Sequence, residues 1–301
     1  MTGLEEVFVN CRGRLRGLAY RMLGSQADAE DVLQDAYLRV KQADRTDIRN
    51  IEAFLFTTVT RLCLDQLKSA RRRREVYVGP WLPEPVIDTE SLSPETAAEV
   101  ADDLSYALLM TLQKMSAPER AVFLLHDVFE TPFARIAETL GKSEAACRQL
   151  ASRARKAVKG ARPARPASAE AHKALLTNFA EAIATGDQSR LEAMLTADVV
   201  AYSDGGGVKI AALHPIVGAD KVARFFIGLV RKAHKLGNTA EFTMATINGA
   251  PGFLINVDGE LDHTMSIDVD GERIAAFYMV RNPEKLGAVG AALREDQSQA
   301  E

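Results

Sequence analysis

The amino-acid sequence predicts a multidomain protein: two all-α domains, the second a helix-turn-helix, followed by an α+β domain with a curved sheet. Three observations carry this prediction. Apolar residues recur at helical spacing through the first half of the chain, a proline-rich stretch interrupts them once, and glycine turns separate short strands in the last third. A chain of 301 residues is long enough to bury two or three cores.

The composition is that of an ordinary soluble globular protein, with 47% hydrophobic and 26% charged residues. The sequence contains neither a signal-peptide pattern nor an apolar run long enough to cross a bilayer, so we expect a cytoplasmic protein without membrane contact. Cys11, Cys63 and Cys147 are odd in number, far apart and without metal-ligand spacing. We therefore expect buried thiols, and neither a cofactor nor a metal site.

The small net charge of −4 conceals two basic patches. Arg61–Arg74 carries six basic residues against Asp65 alone, and Lys142–Arg165 carries eight against Glu144 alone. The span Glu84–Glu138 between them is acidic. Two basic patches separated by an acidic span indicate two contacts with a polyanion.

The first helical domain is expected over residues 1–75, and its most informative part is Gly24–Val40. Ser25 lies three residues before Asp28, which is typical of a capping box at a helix start. An apolar stripe then recurs at helical spacing, formed by Ala29, Val32, Leu33, Ala36, Tyr37 and Val40. The acidic side chains point away from this stripe. Their face is either solvated or a docking surface for a basic partner helix.

A second helix of this domain leads into the arginine run Arg71–Arg74. Its apolar stripe is formed by Ile51, Leu55, Val59 and Leu62, and Arg61, Asp65 and Lys68 lie off that stripe. A run of arginines is most often a solvated helix end. A helix that leads into one can also lie along phosphates with its side chains near the bases.

Residues 76–103 are predicted to be a linker because four prolines break regular structure there: Pro80, Pro83, Pro85 and Pro94. The only tryptophan of the chain lies in this linker, within Trp81–Pro85 (WLPEP). It is either incidental or a pin on a neighbouring domain. We favour the pin, because one aromatic ring buries a large area at a low entropic cost.

The second helical domain is expected over residues 104–161. Ser116 and Pro118 mark one helix start, a short helix follows Thr131-Pro132, and Ser143 caps a longer basic helix. This order is typical of a helix-turn-helix that enters the major groove. Its small residue, turn and two core positions fall at Ala137, Gly141, Cys147 and Leu150. A helical hairpin without a DNA function is the alternative, which the basic second helix disfavours.

The α+β domain is expected over residues 169–286, with a flexible tail at 287–301. Helices are predicted near residues 171–184, 189–195 and 219–235, and a strand at Val199–Ser203 precedes the glycine turn Asp204–Gly207. Three hairpin signals follow, at Asn248-Gly249, Asp258-Gly259 and Asp270-Gly271. An antiparallel meander after helices gives a curved sheet with a concave pocket, so a small-molecule ligand is one hypothesis for this domain.

In chain order these blocks resemble the bacterial sigma-70 family. The first resembles region 2 and the second region 4, without a recognisable region 1 or region 3, as in the extracytoplasmic-function group. The third resembles a SnoaL-like (NTF2-like) domain. One branch, of the sigma-J kind, carries such a domain together with WLPEP, DGGGK and NPDKL-type motifs. Trp81–Pro85 matches the first, Asp204–Gly207 the glycines of the second, and Asn282–Leu286 (NPEKL) the third; Val208-Lys209 departs from the second motif.

The resemblance implies a sigma factor that binds the β′ clamp and β flap of core RNA polymerase, recognises the −10 and −35 promoter elements and directs initiation, and is not itself an enzyme. The residues implied for β′ docking are Asp28, Glu30, Asp31, Gln34 and Asp35. Those implied for the −10 element are Arg61, Asp65, Lys68 and Arg71, with the Arg45–Asn50 loop. Those implied for the −35 element are Arg148, Gln149, Ser152 and Arg153, with Arg155 and Lys156 on phosphates.

The resemblance also implies a regulatory contact between the linker and the third domain. On the linker it involves Trp81, Leu82, Pro83, Glu84 and Pro85. On the third domain it involves Asp204, Gly205, Gly206, Gly207, Asn282, Pro283, Glu284, Lys285 and Leu286.

Two hypotheses from other classes stay open at this point. A one-component regulator would bind operator DNA through its helix-turn-helix and a ligand through its last domain, but it leaves the first block without a role. A cyclase or isomerase with a DNA-binding appendage would use Asp204, His214 or His263 as its acid or base. It predicts turnover by residues 169–301 alone.

Overall fold

The computed structural model describes residues 3–43, 48, 50–87, 104–161 and 167–290. The side chain of Arg71 and most of the Arg45–Asn50 loop lie outside this description, as do residues 291–301 of the expected tail. The chain divides into two compact units. One comprises Met1–Val76 and Leu109–Ala161, and the other comprises Tyr77–Leu108 and Arg162–Glu301.

The first unit is helical, as predicted. Its helices are α1 Gly3–Leu23, α2 Gln26–Gln42, α3 Ile51–Glu75, the part of α4 Tyr106–Lys114 that follows Leu108, α5 Ala117–Phe123, α6 Phe133–Leu140 and α7 Glu144–Ala161, with a π-helical turn at Leu124–Val128. Ser25 Oγ caps α2 by accepting a hydrogen bond from the Asp28 N–H. At α5, Ser116 and Glu119 form both bonds of a capping box.

The apolar stripes meet in the core of this unit. Leu33, Leu55 and Val59 are at most 1% exposed. Cys11, Cys63 and Cys147 are buried free thiols, as expected, and burial raises the pKa of each. These thiols therefore act as small apolar residues.

The helix-turn-helix is formed by α6 and α7. Gly141 ends α6 in the left-handed conformation (φ 61°), where a glycine avoids the Cβ clash, and Ser143 Oγ accepts a hydrogen bond from the Ala146 N–H at the start of α7. Ala137, Cys147 and Leu150 are buried where the motif needs a small residue and two core contacts.

The second unit contains a six-stranded sheet with helices packed against it. Its elements are α8 Ala169–Thr185, α9 Gln188–Ala193, β1 Leu195–Asp204, β2 Ile216–Val217, α10 Ala219–Leu236, β3 Ala240–Ile247, β4 Ala250–Val257, β5 Glu260–Asp270, β6 Arg273–Val280 and α11 at residues 283–290. Phe179, Phe226 and Phe277 contact one another in its core. The predicted α+β domain is confirmed.

The strand order is β2-β1-β6-β5-β4-β3. Strands β3 to β6 form the predicted antiparallel meander, and its turns include Asn248 and Asp258 with φ of 52° and 54°. Strand β1 instead pairs in parallel with β6. Turn signals report only neighbouring strands, so the sequence pattern missed this pairing between strands about 80 residues apart.

Residues 77–87 are packed within the second unit, and Ile87 forms an isolated β-bridge with Ile247. Helix α11 continues to residue 290, and Val289 is buried, so ordered structure extends past residue 286. None of the helices in the described part of the chain is long and apolar enough to span a membrane.

Candidate functional site

The Asp204 carboxylate lies at the centre of a buried hydrogen-bond network in the second unit. Its Oδ1 accepts from the Tyr77 hydroxyl at 2.6 Å and from the Gly206 N–H at 3.1 Å. Its Oδ2 accepts from the Leu82 N–H at 2.8 Å and from Lys285 Nζ at 2.7 Å. Four donors therefore satisfy one fully buried carboxylate. We refer to Asp204, Tyr77, Leu82, Asn282 and Lys285 as the anchor network.

Lys285 connects α11 to the WLPEP segment. Its ammonium also donates to the Leu82 carbonyl at 2.5 Å and lies 4.0 Å from the centre of the Trp81 ring. A desolvated cation over a tryptophan face is attracted by the ring quadrupole. Trp81 is thus held by Lys285, a residue of the same unit.

The three glycines of the Asp204–Gly207 turn meet three different steric demands. A Cβ at Gly205 would collide with the Lys209 carbonyl, and one at Gly206 (φ 65°) would collide with the Asn282 side chain. A Cβ at Gly207 (φ 75°) would lie 3.2 Å from Val78 Cβ. The glycines therefore allow the neighbouring segments to approach the turn.

Asn282 completes the anchor network at the end of β6. Its N–H donates to the Asp204 carbonyl at 2.9 Å, and its Nδ2 donates to the Tyr77 hydroxyl oxygen at 2.9 Å. Its Oδ1 accepts from the Glu284 N–H at 3.1 Å and starts α11. Burial, and then the hydrogen bond to Asp204, raise the pKa of Tyr77 above its usual range. The hydroxyl consequently stays a donor.

A second anchor is formed by Asn248 in the β3–β4 turn. It accepts from the Val86 N–H at 3.0 Å through Oδ1, and its own N–H donates to the Val86 carbonyl at 2.7 Å. Its Nδ2 donates to the Leu104 carbonyl at 3.1 Å. One side chain thus holds both flanks of residues 88–103. The sequence pattern identified Asn248-Gly249 as a turn and missed this role, as it missed Tyr77.

Tyr106, just after Leu104, stacks on the sheet. Its ring lies 5.0 Å from that of Tyr278, which stacks on Tyr202 at 5.6 Å. The Tyr278 hydroxyl donates to Asp268 at 2.5 Å. Burial raises the pKa of Asp268 to about 6 despite this bond.

The acidic face of α2 divides into a paired part and an open part. Glu30 forms ion pairs with Arg12 at 2.7 Å and with Arg16 at 3.8 Å. Asp31, Gln34 and Asp35 are exposed, and within the described residues neither aspartate has an ion-pair partner. Asp28 is half-buried at the helix start. The open part is therefore a negatively charged strip on one helix.

The residues assigned to the −10 element lie on α3, and Arg61 contacts the helix-turn-helix. Its Nε donates to the Thr139 carbonyl at 3.1 Å and its terminal nitrogen to the Glu138 carbonyl at 3.3 Å, at the end of α6. Thr57 Oγ1 lies 3.4 Å from Thr139 Oγ1. Asp65 and Lys68 pair with each other at 2.7 Å on the surface. Arg61 is therefore already engaged in this conformation.

The exposed face of α7 carries Arg148, Gln149, Ser152 and Lys156. Arg148 pairs with Glu144 at 2.6 Å, and its guanidinium lies 5.3 Å from the centre of the Phe133 ring. Two arginines at the flanks of this face are held by acids of other elements: Arg153 by Glu119 at 2.8 Å and Arg155 by Asp127 at 2.6 Å. Arg153 and Arg155 are therefore each engaged in an ion pair in this conformation.

The three residues considered for acid–base catalysis are not brought together. Asp204 is enclosed by the anchor network, and His214 is exposed on a loop. His263 pairs with Asp262 at 2.8 Å in a separate cavity. Among the described residues, no group of acids, histidines and cysteines has the arrangement of a metal site.

Comparison with known proteins agrees with this geometry. Sigma-70 region 2 matches residues 7–73, and Sigma-70 region 4 matches residues 105–158. The ECF RNA polymerase sigma factor SigJ of Mycobacterium tuberculosis is 39% identical over 97% of this chain and 95% of its own. The probable ECF sigma factor SigI of the same species is 30% identical over 94% of each chain. The crystal structure of SigJ superposes with a TM-score of 0.73 at 36% identity, covering 93% of this chain and 96% of that one.

A region 2 helical domain, a region 4 helix-turn-helix and an appended α+β domain define a transcription-initiation protein. The chain belongs to the extracytoplasmic-function (ECF) RNA polymerase sigma factors. Core RNA polymerase and promoter DNA are therefore its partners, and its family is not generally enzymatic. The one-component regulator is not favoured, because it gives no role to the region 2 domain.

Proposed function

We propose that this sigma factor is restrained by its own C-terminal domain, which resembles the SnoaL-like fold. The observation that carries the proposal is the anchor network around Asp204, together with Asn248. These groups hold the connecting segment, residues 76–103, at Tyr77, Leu82 and Val86, and they also hold Leu104 directly after it. In domain terms, residues 1–75 and 104–161 act on polymerase and promoter, residues 76–103 connect them, and residues from 169 onward regulate.

The restraint follows from a comparison of two distances, one between bonded residues of the protein and one between the promoter elements. Val86 and Leu104 lie on either side of residues 88–103 in the sequence, and both bond to the one side chain of Asn248, so Val86 and Leu104 are kept close. Promoter elements roughly 25 base pairs apart are separated by on the order of 80 Å of B-DNA at 3.4 Å per pair. Region 2 and region 4 must therefore separate, which the anchored segment and the Arg61–Thr139 contact oppose.

The active state uses the surfaces that the family resemblance assigns. The strip formed by Asp28, Glu30, Asp31, Gln34 and Asp35 docks on the β′ clamp helices, and region 4 docks on the β flap. Arg61, Asp65, Lys68 and Arg71 contact the −10 element. Arg148, Gln149, Ser152 and Arg153 read the −35 element, while Arg155 and Lys156 hold phosphates. All of this takes place in the cytoplasm, where promoter DNA and polymerase meet.

Run-off transcription with purified core polymerase tests the restraint. Asn282→Ala removes a member of the anchor network, and Trp81→Ala removes the ring that contacts its Lys285, so we expect each anchor variant to raise promoter-dependent transcription at limiting sigma factor. Asn178→Ala is the control, because the exposed side chain of Asn178 on α8 bonds only Arg190 in the described structure. Transcription that stays unchanged or falls in both anchor variants, with circular dichroism preserved, would overturn the proposal.

Polymerase docking is tested by reversing charge at the open part of the α2 strip. Asp31→Lys with Asp35→Lys replaces attraction by repulsion, so we expect loss of core binding with the fold intact. Glu241→Lys with Glu272→Lys makes the same change of charge at exposed sites of the C-terminal domain and is the control. Undiminished core binding by the α2 variant would reject this docking surface.

A further inference from the structure

A cavity of about 550 Å³ lies between α10 and the sheet of the C-terminal domain. Its wall is apolar and includes Phe225, Leu229, Phe242, Ile255 and Met265. Leu229 and Phe242 remain about two-fifths exposed although both are large and apolar. The volume falls within the roughly 300–1,000 Å³ of small-molecule sites, which are lined mainly by apolar side chains with a few convergent polar groups.

The polar end of the cavity carries a surplus of positive charge. Asp262 accepts two hydrogen bonds from one Arg281 nitrogen, at 2.8 and 2.9 Å, and pairs with His263 at 2.8 Å. Lys209 lies 3.6 Å from the same carboxylate, and Lys232 also lines the cavity. Burial opposes ionisation of Asp262, but the bonds from His263 and Arg281 outweigh it and lower its pKa. The cavity lining thus carries Lys209, Lys232 and Arg281 against the single carboxylate of Asp262.

We propose that this cavity binds an amphipathic carboxylic acid. Its apolar body lies among the side chains of α10 and the sheet, and its carboxylate lies against Lys209 and Arg281. An anion completes the charge balance that Asp262 leaves incomplete, whereas an ammonium group would face like charges. The restraint through the anchor network does not use these residues, so the site goes beyond the proposed function.

The cavity also adjoins the connecting segment. The loop Lys209–Ala212 lines the cavity on one side and, with Val78 and Gly79, lines a second cavity. Arg281 donates to the Ile210 carbonyl, and the residue after Arg281 is Asn282 of the anchor network. A ligand that engages Lys209 and Arg281 therefore acts on the loop beside residues 78–79. We expect such a ligand to alter the stability of the Leu82 N–H bond to Asp204.

Isothermal titration of the full chain with decanoate, decanol and decyltrimethylammonium tests the chemistry, since each probe has an unbranched chain of ten carbons and they differ in the polar group. We expect decanoate to bind about tenfold more tightly than decanol, the gain of one charge-assisted hydrogen bond, and the cation to bind least. Absence of decanoate binding, or equal binding of all three probes, would overturn the proposal.

Substitutions inside and outside the cavity then test where the ligand binds. Lys209→Gln is expected to weaken decanoate binding about tenfold and to leave decanol binding unchanged. Lys235→Gln, an exposed lysine of α10 outside the cavity, is the matched control. Ala233→Trp fills the cavity and should abolish binding of both. Loss of decanoate affinity in Lys235→Gln equal to that in Lys209→Gln would assign the effect to overall charge and reject the site.

Hydrogen exchange at the Leu82 amide measures separately the coupling between the cavity and the anchor network. A change in its protection on saturation with decanoate, absent in Ala233→Trp, supports transmission from the cavity to the anchor network. Binding with no change in Leu82 protection would overturn the coupling and leave the binding site standing.

Discussion

Lys285 Nζ lies 2.7 Å from Asp204 Oδ2, and the two side chains are 7% and 0% exposed. A buried ion pair is costly to break, because removal of one partner leaves a charge uncompensated in a low-dielectric interior. The pair joins α11, the Asp204–Gly207 turn and the WLPEP segment. Its stability therefore determines how firmly the connecting segment is held.

We expect Lys285→Met to lower the free energy of unfolding of the C-terminal domain by roughly 3–5 kcal/mol. Addition of Asp204→Asn should recover part of this loss, because it removes the carboxylate charge that Lys285→Met leaves uncompensated. Chemical denaturation followed by fluorescence of Trp81, the only tryptophan, measures both. If the single effects simply add, with coupling below about 0.5 kcal/mol, the two groups do not act as a pair.

A disulfide at the contact between α3 and α6 should lock region 2 to region 4. Thr57 and Thr139 have their hydroxyl oxygens 3.4 Å apart, so Thr57→Cys with Thr139→Cys is suited to cross-linking. We expect the oxidised protein to lose promoter-dependent transcription and a reductant to restore it. Thr57→Cys alone is the control, and the native cysteines are buried. Full activity in the oxidised state would show that separation of the two regions is not required.

Arg148 and Lys156 should differ in what their loss does to promoter recognition. Arg148→Ala is expected to cost roughly 1–3 kcal/mol at promoters with a guanine at the contacted position and little at others. Lys156→Ala is expected to weaken binding evenly and to flatten its salt dependence, because a phosphate contact carries no sequence information. Binding measured across a promoter library at several salt concentrations separates the two. Equal losses across all sequences for both variants would contradict the assignment.

The fold of this chain follows closely from local signals. Helix starts at Ser25 and Ser116, the Gly141 turn and the Asn248-Gly249 hairpin lie where their residues predict them, because caps and turns depend on a few neighbouring residues. The parallel pairing of β1 with β6 did not follow, since it joins strands far apart in sequence.

The sequence motifs point to several residues of the candidate site, but not to the bonds that connect them. Three sequence motifs placed Trp81, Asp204 and Asn282 in one contact, and the structure brings them into the same unit. Tyr77 lies outside every motif, so nothing in the sequence marked its hydroxyl as the link between Asp204 and Asn282. The hydrogen bond from Arg61 to α6 depends on tertiary packing, so no local sequence pattern predicts it.

The stability of the C-terminal domain should depend on pH through Asp268. Its pKa is raised to about 6 by burial, so the folded state favours the protonated form, and stability is lost as the pH rises from about 4 through 6. Asp268→Asn keeps an acceptor for Tyr278 and cannot ionise. We expect it to stabilise the domain by up to roughly 3 kcal/mol at pH 8 and to have little effect at pH 4. Thermal unfolding at the two pH values measures this; equal shifts at both would contradict it.

The most direct test of the restraint is run-off transcription by Tyr77→Phe at limiting sigma factor with core polymerase. This variant removes one hydroxyl, which bonds Asp204 and Asn282, at a cost to the anchor of roughly 1 kcal/mol. Tyr202→Phe removes a hydroxyl from the same domain outside the anchor network and is the control. The account predicts that Tyr77→Phe raises transcription up to about fivefold over both wild type and Tyr202→Phe. Transcription by Tyr77→Phe equal to or below that of Tyr202→Phe would contradict it.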